Sequence, residues 1–319
     1  MRENREPILT LGPALFLWRE AEWRDFYFRI ADEAPVDIVF LGEVVCSKRR
    51  HFFESHFSDV VERLERAGKR LALSSLALAT QPREIEMNRA IAAQNDFPVE
   101  ANDLSLLPNL SGKPHSVGPF VNVYNSLTAA FLTDRGAQSI CLPPELPLVS
   151  IAAIAESASG AAVEVFAFGR APLAISARCA HARAKGKSKD DCQFACGQEP
   201  DGLLVKTMSG QSFFAINGVQ TMSHTYHSAM SGMNALLGVG VRRFRLSPQR
   251  TDMVRIAEIH REVLCGKIDE QEGCIRLASL CPNTPISNGF LHGAAGADFI
   301  SGSPGSNIDE AQSQQRRTV

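Results

Sequence analysis

The sequence predicts a (β/α)8 barrel, an α/β fold in which eight parallel strands alternate with helices. Eight short apolar runs rich in β-branched residues alternate with longer amphipathic stretches. Runs such as VDIVFLG and VEVFAFG are apolar almost throughout, as strands that are covered on both faces require. Eight such units over roughly 250 residues fit the length of this barrel. A doubly wound open sheet is the alternative, because it is built from the same units.

The strands are predicted where apolar runs lie between turn-forming residues. In chain order they are Pro7-Leu11, Val36-Leu41, Arg70-Ser74, Phe97-Ala101, Phe120-Tyr124, Gln138-Leu142, Ala162-Ala167 and Val241-Leu246. Apolar residues at helical spacing lie between them, at 23–30, 53–64, 126–135 and 251–264. Gly68 and Gly136 follow the second and third of these stretches, where a helix commonly ends.

A long gap in this alternation predicts an insertion. The first seven strand starts are 18 to 34 residues apart, whereas 79 residues separate the seventh from the eighth. The segment from about 170 to 240 is polar and Lys-rich with one apolar run, FFAING, and we expect it to form its own short hairpin. We therefore predict one barrel-like domain over residues 1–300 that carries this insertion. The Gly/Ser/Gln-rich tail, 301–319, is predicted to be disordered.

Charge and hydropathy exclude several classes of protein. The net charge of −2 gives no excess of Lys and Arg that would release counterions from nucleic-acid phosphates. The longest apolar stretch, PLVSIAAIAESASGAAVEVFAFG, is interrupted by Glu156, Gly160 and Glu164, so it does not make a membrane span. The N-terminus lacks the apolar core of a signal peptide. We therefore expect a cytoplasmic protein whose cysteines are reduced.

Four of the eight cysteines form a candidate metal site. Cys179, Cys192 and Cys196 lie among charged residues of the insertion, where a thiol has no packing role, and Cys46 follows the second strand. Both segments leave the carboxyl-end face of the barrel, where barrel enzymes build their sites. Free thiols, a zinc site and an iron–sulfur cluster all remain open, because the spacing matches no standard motif.

Basic residues surround the three cysteines of the insertion and favour a negatively charged cluster slightly over zinc. The cations would offset the negative charge of a four-thiolate cluster and tune its potential, although a solvated basic loop explains them equally well. These residues are Arg178, His181, Arg183, Lys185, Lys187 and Lys189.

The remaining candidates have ordinary explanations. Cys141 and Cys265 are expected in the core, and Cys274 and Cys281 are expected to be packing residues. Five polar residues near the barrel mouth are more simply explained as caps and turns than as ligand-binding groups. Arg170 is the strongest of them, since its guanidinium suits a carboxylate. The five are Glu43, Asn125, Arg170, Asn217 and Gln220.

Several motifs taken together resemble a known family. LGEVVCSKRR, VNVYN, LPPELPL, KDDCQFAC and RLSPQRTD are similar, in order and to about Phe290, to segments of the collagenase-like "unassigned peptidase" family. This resemblance implies that Cys46, Cys179, Cys192 and Cys196 hold a [4Fe-4S] cluster. Proteolysis is not expected, because H-E-x-x-H, G-x-S-x-G and a Cys in a recognisable His/Asn context are missing.

The resemblance is strongest to the members of this family that serve ubiquinone biosynthesis. It implies a subunit of an O2-independent system that hydroxylates a polyprenylated quinone precursor, in a heterodimer with a UbiU-like protein that carries its own cluster. It also implies a UbiT-like lipid-binding accessory protein and makes prephenate a candidate oxygen donor. The alternatives are an RNA-base hydroxylase of the same family and a non-catalytic, metal-stabilised scaffold subunit. The net charge of −2 and the aromatic content of 7% favour the quinone precursor over RNA.

Overall fold

A computed structural model describes residues 6–158 and 160–304. Its strands are β1 (Ile8–Leu11), β2 (Ile38–Leu41), β3 (Arg70–Ser74), β4 (Val99–Ala101), β5 (His115–Val117), β6 (Ala137–Leu142), β7 (Ala162–Gly169), β8 (Pro172–Ile175), β9 (Leu203–Lys206), β10 (Ser212–Asn217), β11 (Gln220–Ser223), β12 (Tyr226–Ser228), β13 (Arg243–Leu246) and β14 (Ile286–Ser287). Its α-helices are α1 (Glu20–Glu33), α2 (Phe57–Arg66), α3 (Pro82–Ala93), α4 (Leu107–Leu110), α5 (Ser126–Asp134), α6 (Leu148–Ser157), α7 (Ala180–Ala184), α8 (Met233–Gly238), α9 (Met253–Leu264) and α10 (Glu270–Leu280).

Eight of the strands form a closed parallel barrel. Strands β1 to β7 pair in chain order, β13 pairs with β1, and β13 also pairs with β7, which closes the sheet. The (β/α)8 prediction is therefore confirmed, and the doubly wound alternative is wrong because an open sheet has two free edges. The apolar side chains of α1, α2 and α9 cover the outside of the barrel, as the helical spacing predicted.

Seven of the predicted strands lie on barrel strands, but the fifth is wrong. Residues 119–121 form a 3₁₀ turn, and Asn122 adopts a left-handed backbone with φ of 59°. The fifth strand is instead β5, whose central residue, Ser116, is polar and buried. Its three residues carry no run of apolar side chains, because part of the barrel interior is polar. The more apolar 120–124 segment therefore gives the stronger strand signal in the sequence.

The insertion between β7 and β13 carries its own antiparallel sheet, in the order β8-β11-β10-β9. A two-residue turn joins β10 to β11, and Gly218 occupies it with φ of +65°. This confirms the predicted hairpin and adds two further strands to it. The chain then returns to the barrel through β12, which pairs with the end of β7 and with β14.

The interior of the barrel holds a buried ion network. Arg245 on β13 donates to Glu100 on β4 (2.7 Å) and to Glu164 on β7 (2.6 and 3.1 Å), and all three side chains are at most 3% exposed. Hydroxyls complete the network, since Ser74 donates to Glu100 (2.6 Å) and Thr10 donates to Glu164. The network joins five barrel strands, β1, β3, β4, β7 and β13, through charged hydrogen bonds, so it fixes their relative positions.

Two further sequence-based predictions concern the C-terminal tail and membrane-spanning helices. Residues 305–319 of the predicted disordered tail lie outside the described residues. Within the described ranges, every helix is too short or too polar to cross a lipid bilayer.

Candidate functional site

The four cysteines singled out from the sequence line one cavity. Cys46 lies just after the carboxyl end of β2, Cys179 immediately precedes α7, and Cys192 and Cys196 lie on either side of the start of a 3₁₀ turn, Ala195–Gln198. Residues far apart in sequence therefore meet because the insertion folds back over the carboxyl-end face of the barrel. All four are free thiols.

Local backbone geometry directs these thiols to the cavity. The buried carboxylate of Glu43 accepts hydrogen bonds from the N–H groups of Val45 and Cys46, both at 2.8 Å, and so fixes the loop that follows β2. In the insertion, Gln193 and Phe194 both adopt positive φ, 47° and 50°. Two consecutive left-handed residues are costly and are typical of functional sites. Here they reverse the chain between Cys192 and Cys196.

The four thiols form a donor set for a metal centre. In the described part of the chain, no three His, Cys, Asp or Glu side chains form a group that could hold one ion. Zinc bonds each thiolate at about 2.3 Å, which brings its ligands to within about 4 Å of one another. A four-iron cluster binds each thiolate to a different iron, so its ligands stand farther apart. Four sulfurs around one cavity are a donor set that both zinc and a four-iron cluster use.

The cavity is electropositive. Its lining contains three cationic residues, Lys48, Arg49 and Lys189, and no carboxylate. The Lys48 ammonium also donates to the main-chain oxygen of Lys189 at 2.7 Å, which ties the loop after β2 to the insertion. Lys48 also forms an ion pair with the exposed carboxylate of Asp190 at 3.4 Å. Arg49 and Lys189 have no such partner among the described residues, so the lining favours an anionic occupant.

Arg49 is the most unusual residue of the site. Its side chain is fully buried, and it donates to the carbonyl oxygen of Leu15 and to the Oδ1 of Asn217, both at 2.9 Å. Its Nε atom has no hydrogen-bond partner, and no carboxylate lies within ion-pair distance of it among the described residues. A buried cation without an anion is costly. Burial acts to lower the pKa of Arg49, and the negative charges that Cys196, Glu43 and Cys46 carry when ionised more than offset it.

Burial keeps at least two of the thiols protonated. It raises the pKa of Cys46, and the charge of Arg49 offsets only part of this effect. It also raises the pKa of Cys179, although the N–H of Ala182 donates to that sulfur at 3.4 Å. Metal ligation requires thiolates, so binding at this site would release protons.

The basic residues predicted to surround the site are mostly occupied elsewhere. Lys189 alone among the six lines the cavity. His181 and Lys185 both bond to Glu199, the former at 2.9 Å, and Lys187 bonds to the side chain of Gln193 at 2.6 Å. Sequence reasoning missed the buried guanidinium that follows Cys46 in the S-K-R-R segment. Its position close to a candidate ligand could have indicated a role at the site. A run of basic residues is usually exposed, however, so the sequence did not predict its burial.

Of the mouth residues, Asn125 has the capping role that the sequence favours, whereas Arg170 and Asn217 are held by hydrogen bonds within the chain. Asn125 caps α5 by accepting from the N–H of Thr128 at 2.8 Å. Arg170 is buried and already paired with Asp201 at 2.6 Å, so it is not a free clamp for a carboxylate. Asn217 donates to Gln220 at 3.3 Å inside the insertion.

The remaining cysteines lie away from the cavity. Cys141 and Cys281 are buried and Cys274 is half-buried, as expected of packing residues. Cys265 is exposed, so its assignment to the core is wrong. Cys265 is the residue that follows the end of α9, and at this position the helix no longer presents its apolar face to the barrel.

Comparison with known proteins identifies a family. Residues 25–300 match the profile of "Peptidase family U32". A solved structure of an uncharacterized B. cereus protein shares 10% sequence identity with the chain, with a TM-score of 0.30. The alignment covers 76% of this chain and 61% of that protein, so the chain spans less than two thirds of its length.

Proposed function

This chain belongs to peptidase family U32, and we propose that it is a [4Fe-4S] cluster-binding subunit of an O2-independent hydroxylation system, similar to the ubiquinone biosynthesis protein UbiV. Cys46, Cys179, Cys192 and Cys196 would hold the cluster. The observation that carries this proposal is the cavity itself, which combines four thiols with three cations and no carboxylate.

The charge of the site supports a cluster more than a set of free thiols. A cluster ligated by four thiolates is anionic, and hydrogen bonds to its sulfurs tune its potential. The side chain of Arg49 is buried, interacts with Cys196 and keeps an unpaired Nε–H, which matches that requirement. Protonated thiols would leave this guanidinium with no anion at ion-pair distance among the described residues.

Ligation by four protein thiolates also limits the chemistry. Such a cluster has no open iron position, so it would supply electron transfer rather than Lewis-acid catalysis. Hydroxylation of an aromatic ring is a two-electron oxidation, and without O2 it needs both an oxygen donor and a path for electrons. In this proposal the chain's own residues hold and shield the electron carrier. The sequence resemblance points to a polyprenylated quinone precursor as substrate and to prephenate as a candidate oxygen donor.

The same resemblance assigns the partners. A UbiU-like protein would form a heterodimer with this chain, and a UbiT-like protein would deliver the lipid-bearing substrate. Proteolysis by a cysteine nucleophile does not fit the site, because the cavity lining holds no histidine that could act as the base for one of its four thiols. An RNA-base hydroxylase of the same family and a metal-stabilised scaffold remain the alternative functions.

A panel of cysteine variants tests the site. Chains carrying Cys46→Ala, Cys179→Ala, Cys192→Ala or Cys196→Ala should each lose the broad brown absorption of the anoxically purified protein. Cys141→Ala and Cys265→Ala are matched controls, one buried and one exposed thiol outside the cavity, and should keep it. If Cys46→Ala keeps the absorption, or if both controls lose it, the assignment of ligands is wrong.

Growth without oxygen tests the pathway. A strain that lacks this chain should stop making quinone under anoxic conditions only, and the wild-type gene should restore synthesis whereas the Cys196→Ala gene should not. If the strain that lacks this chain still makes quinone without oxygen but loses the hydroxyl from an RNA base, the RNA alternative is favoured. Restoration by the Cys196→Ala gene would favour a scaffold.

A further inference from the structure

A second cavity lies at the opposite end of the barrel from the thiols. It has a volume of about 560 Å³, and its lining includes the first residues of four barrel strands, Ile38, Arg70, His115 and Arg243. We call it the amino-end cavity. Its size falls within the range of small-molecule sites. The amino ends of barrel strands ordinarily serve stability rather than binding, so polar groups without partners at this end call for an explanation.

The amino-end cavity holds cations that lack partners. Arg70, Lys113 and Arg243 line it, and Asp96 is the single carboxylate in its lining. Among the described residues, none of these three cations makes an ion pair. Three cations and one carboxylate leave the lining of the cavity with an excess of positive charge.

Arg243 shows this imbalance most clearly. It is half-buried, and its Nε atom is fully shielded from solvent without a hydrogen-bond partner. Burial lowers the pKa of Arg243; nearby Glu164 acts in the opposite direction, and the charges of Arg70 and Arg245 add to the lowering. The carboxylate of Glu164 is already bonded to Arg245 and does not reach Arg243. An anion between Arg70 and Arg243 would relieve this repulsion.

The other lining groups indicate what kind of anion fits. Phe97, Pro98 and Pro114 line the cavity and are half-buried or exposed, so an occupant with an apolar body would gain from burying them. The ring of His115 is buried, and its Nδ1 lies 2.8 Å from the carbonyl oxygen of Lys113, to which it must donate. Its Nε2 has no partner and is left as an acceptor in the neutral ring.

We propose that the amino-end cavity binds a small organic carboxylate, with the carboxylate between Arg70 and Arg243 and the apolar body against Phe97 and Pro114. A hydroxyl on such a ligand would donate to the free Nε2 of His115. Inorganic anions would satisfy the two arginines but would leave the apolar wall exposed to water. The site shares no residue with the four-thiol cavity, so it does not depend on the proposed cluster.

Titration of the full chain with 4-fluorobenzoate, followed by fluorine NMR, tests the proposal. We expect saturable binding that is at least tenfold tighter than that of the uncharged 4-fluorobenzamide, because charge-assisted hydrogen bonds to arginine are lost in the amide. Inorganic phosphate should displace the probe only weakly. Equal binding of the amide, displacement by phosphate at the probe's own concentration, or the absence of saturable binding would each overturn the proposal.

Variants locate the binding. Arg243→Gln should weaken 4-fluorobenzoate binding at least tenfold, and Arg255→Gln, on the outer helix α9, is the matched control that should leave it unchanged. Arg70→Gln removes the exposed cation of the pair and serves if Arg243→Gln does not fold. If the Arg70→Gln chain binds the probe as tightly as the wild type does, the anion does not lie between the two arginines.

Discussion

Arg49→Met should weaken cluster retention far more than it weakens the fold. In the protein without a cluster, methionine removes two hydrogen bonds to neutral acceptors, each worth about 1.5–3 kcal/mol because the donor is charged. It also removes the cost of burying an unpaired cation, which is several kcal/mol. Asn217 still donates to the Leu15 carbonyl at 2.7 Å, so that oxygen keeps a partner. We therefore expect the free energy of unfolding of the unloaded protein to change by less than about 2 kcal/mol.

The loaded protein has more to lose. There the cation faces an anionic cluster, and the attraction between two unit charges at contact is about 4 kcal/mol at an effective dielectric constant near 20. Even half of this, about 2 kcal/mol, corresponds to a roughly 30-fold change in an equilibrium constant. Removing Arg49 should therefore weaken cluster binding by about that factor, because the unloaded protein loses no such attraction.

Iron release to a chelator under anoxic conditions measures this effect, alongside urea unfolding of the unloaded chains. The Arg49→Met chain should release iron at a chelator concentration about 30-fold lower than the wild type requires. Arg183→Met, which removes an exposed cation of the insertion, is the control and should behave as wild type. The reasoning is refuted if Arg49→Met folds and holds iron as the wild type does, or if Arg183→Met has the same effect.

Three further predictions concern the fold around the site. Arg245→Met should lower the free energy of unfolding by about 3–5 kcal/mol in urea titrations, because it leaves two carboxylates buried without their cation; a loss below about 1 kcal/mol would contradict the role of the network. Burial raises the pKa of Glu164, but Arg245 more than offsets this and holds it below its ordinary value. The stability that ionised Glu164 contributes is therefore present at neutral pH and is lost as the pH falls below about 4.5, through the lowered pKa. Acid unfolding of Glu164→Gln should be less steep than that of the wild type. Equal steepness would count against this role of Glu164. Gly218→Ala should disturb the thiol cavity, because a Cβ at this position would lie 2.5 Å from Nη2 of Arg49, on a backbone with φ of +65°. Thermal unfolding and iron retention measure the effect. A variant unchanged in both would show that the guanidinium can move freely.

The barrel and the convergence of the four cysteines were predictable because both follow from chain-wide regularities. Alternation of apolar runs and amphipathic stretches predicts parallel strands, and the carboxyl ends of parallel strands share one face. A cysteine after β2 and an insertion after β7 therefore had to leave the same face. The long gap between strand starts was the signal for the insertion, and the sheet found there is its result.

The parts that sequence reasoning missed depend on three-dimensional packing. β5 was missed because its polar residues pack within a barrel whose interior is partly polar, and a local apolar run outweighed them. Arg49 was missed because basic residues beside one another are usually exposed. Its burial depends on hydrogen bonds to Leu15 and Asn217, which are far away in sequence. Cys265 was misplaced because one residue at the end of a helix separates the buried face from solvent.

The content of iron, acid-labile sulfide and zinc in the anoxically purified full chain tests the central claim most directly. Four cysteine thiols around a cationic cavity without carboxylates predict about four iron and about four sulfide per chain, and only traces of zinc. Stoichiometric zinc without sulfide, or a chain that takes up neither iron nor sulfide on anoxic reconstitution, would contradict the proposed cluster.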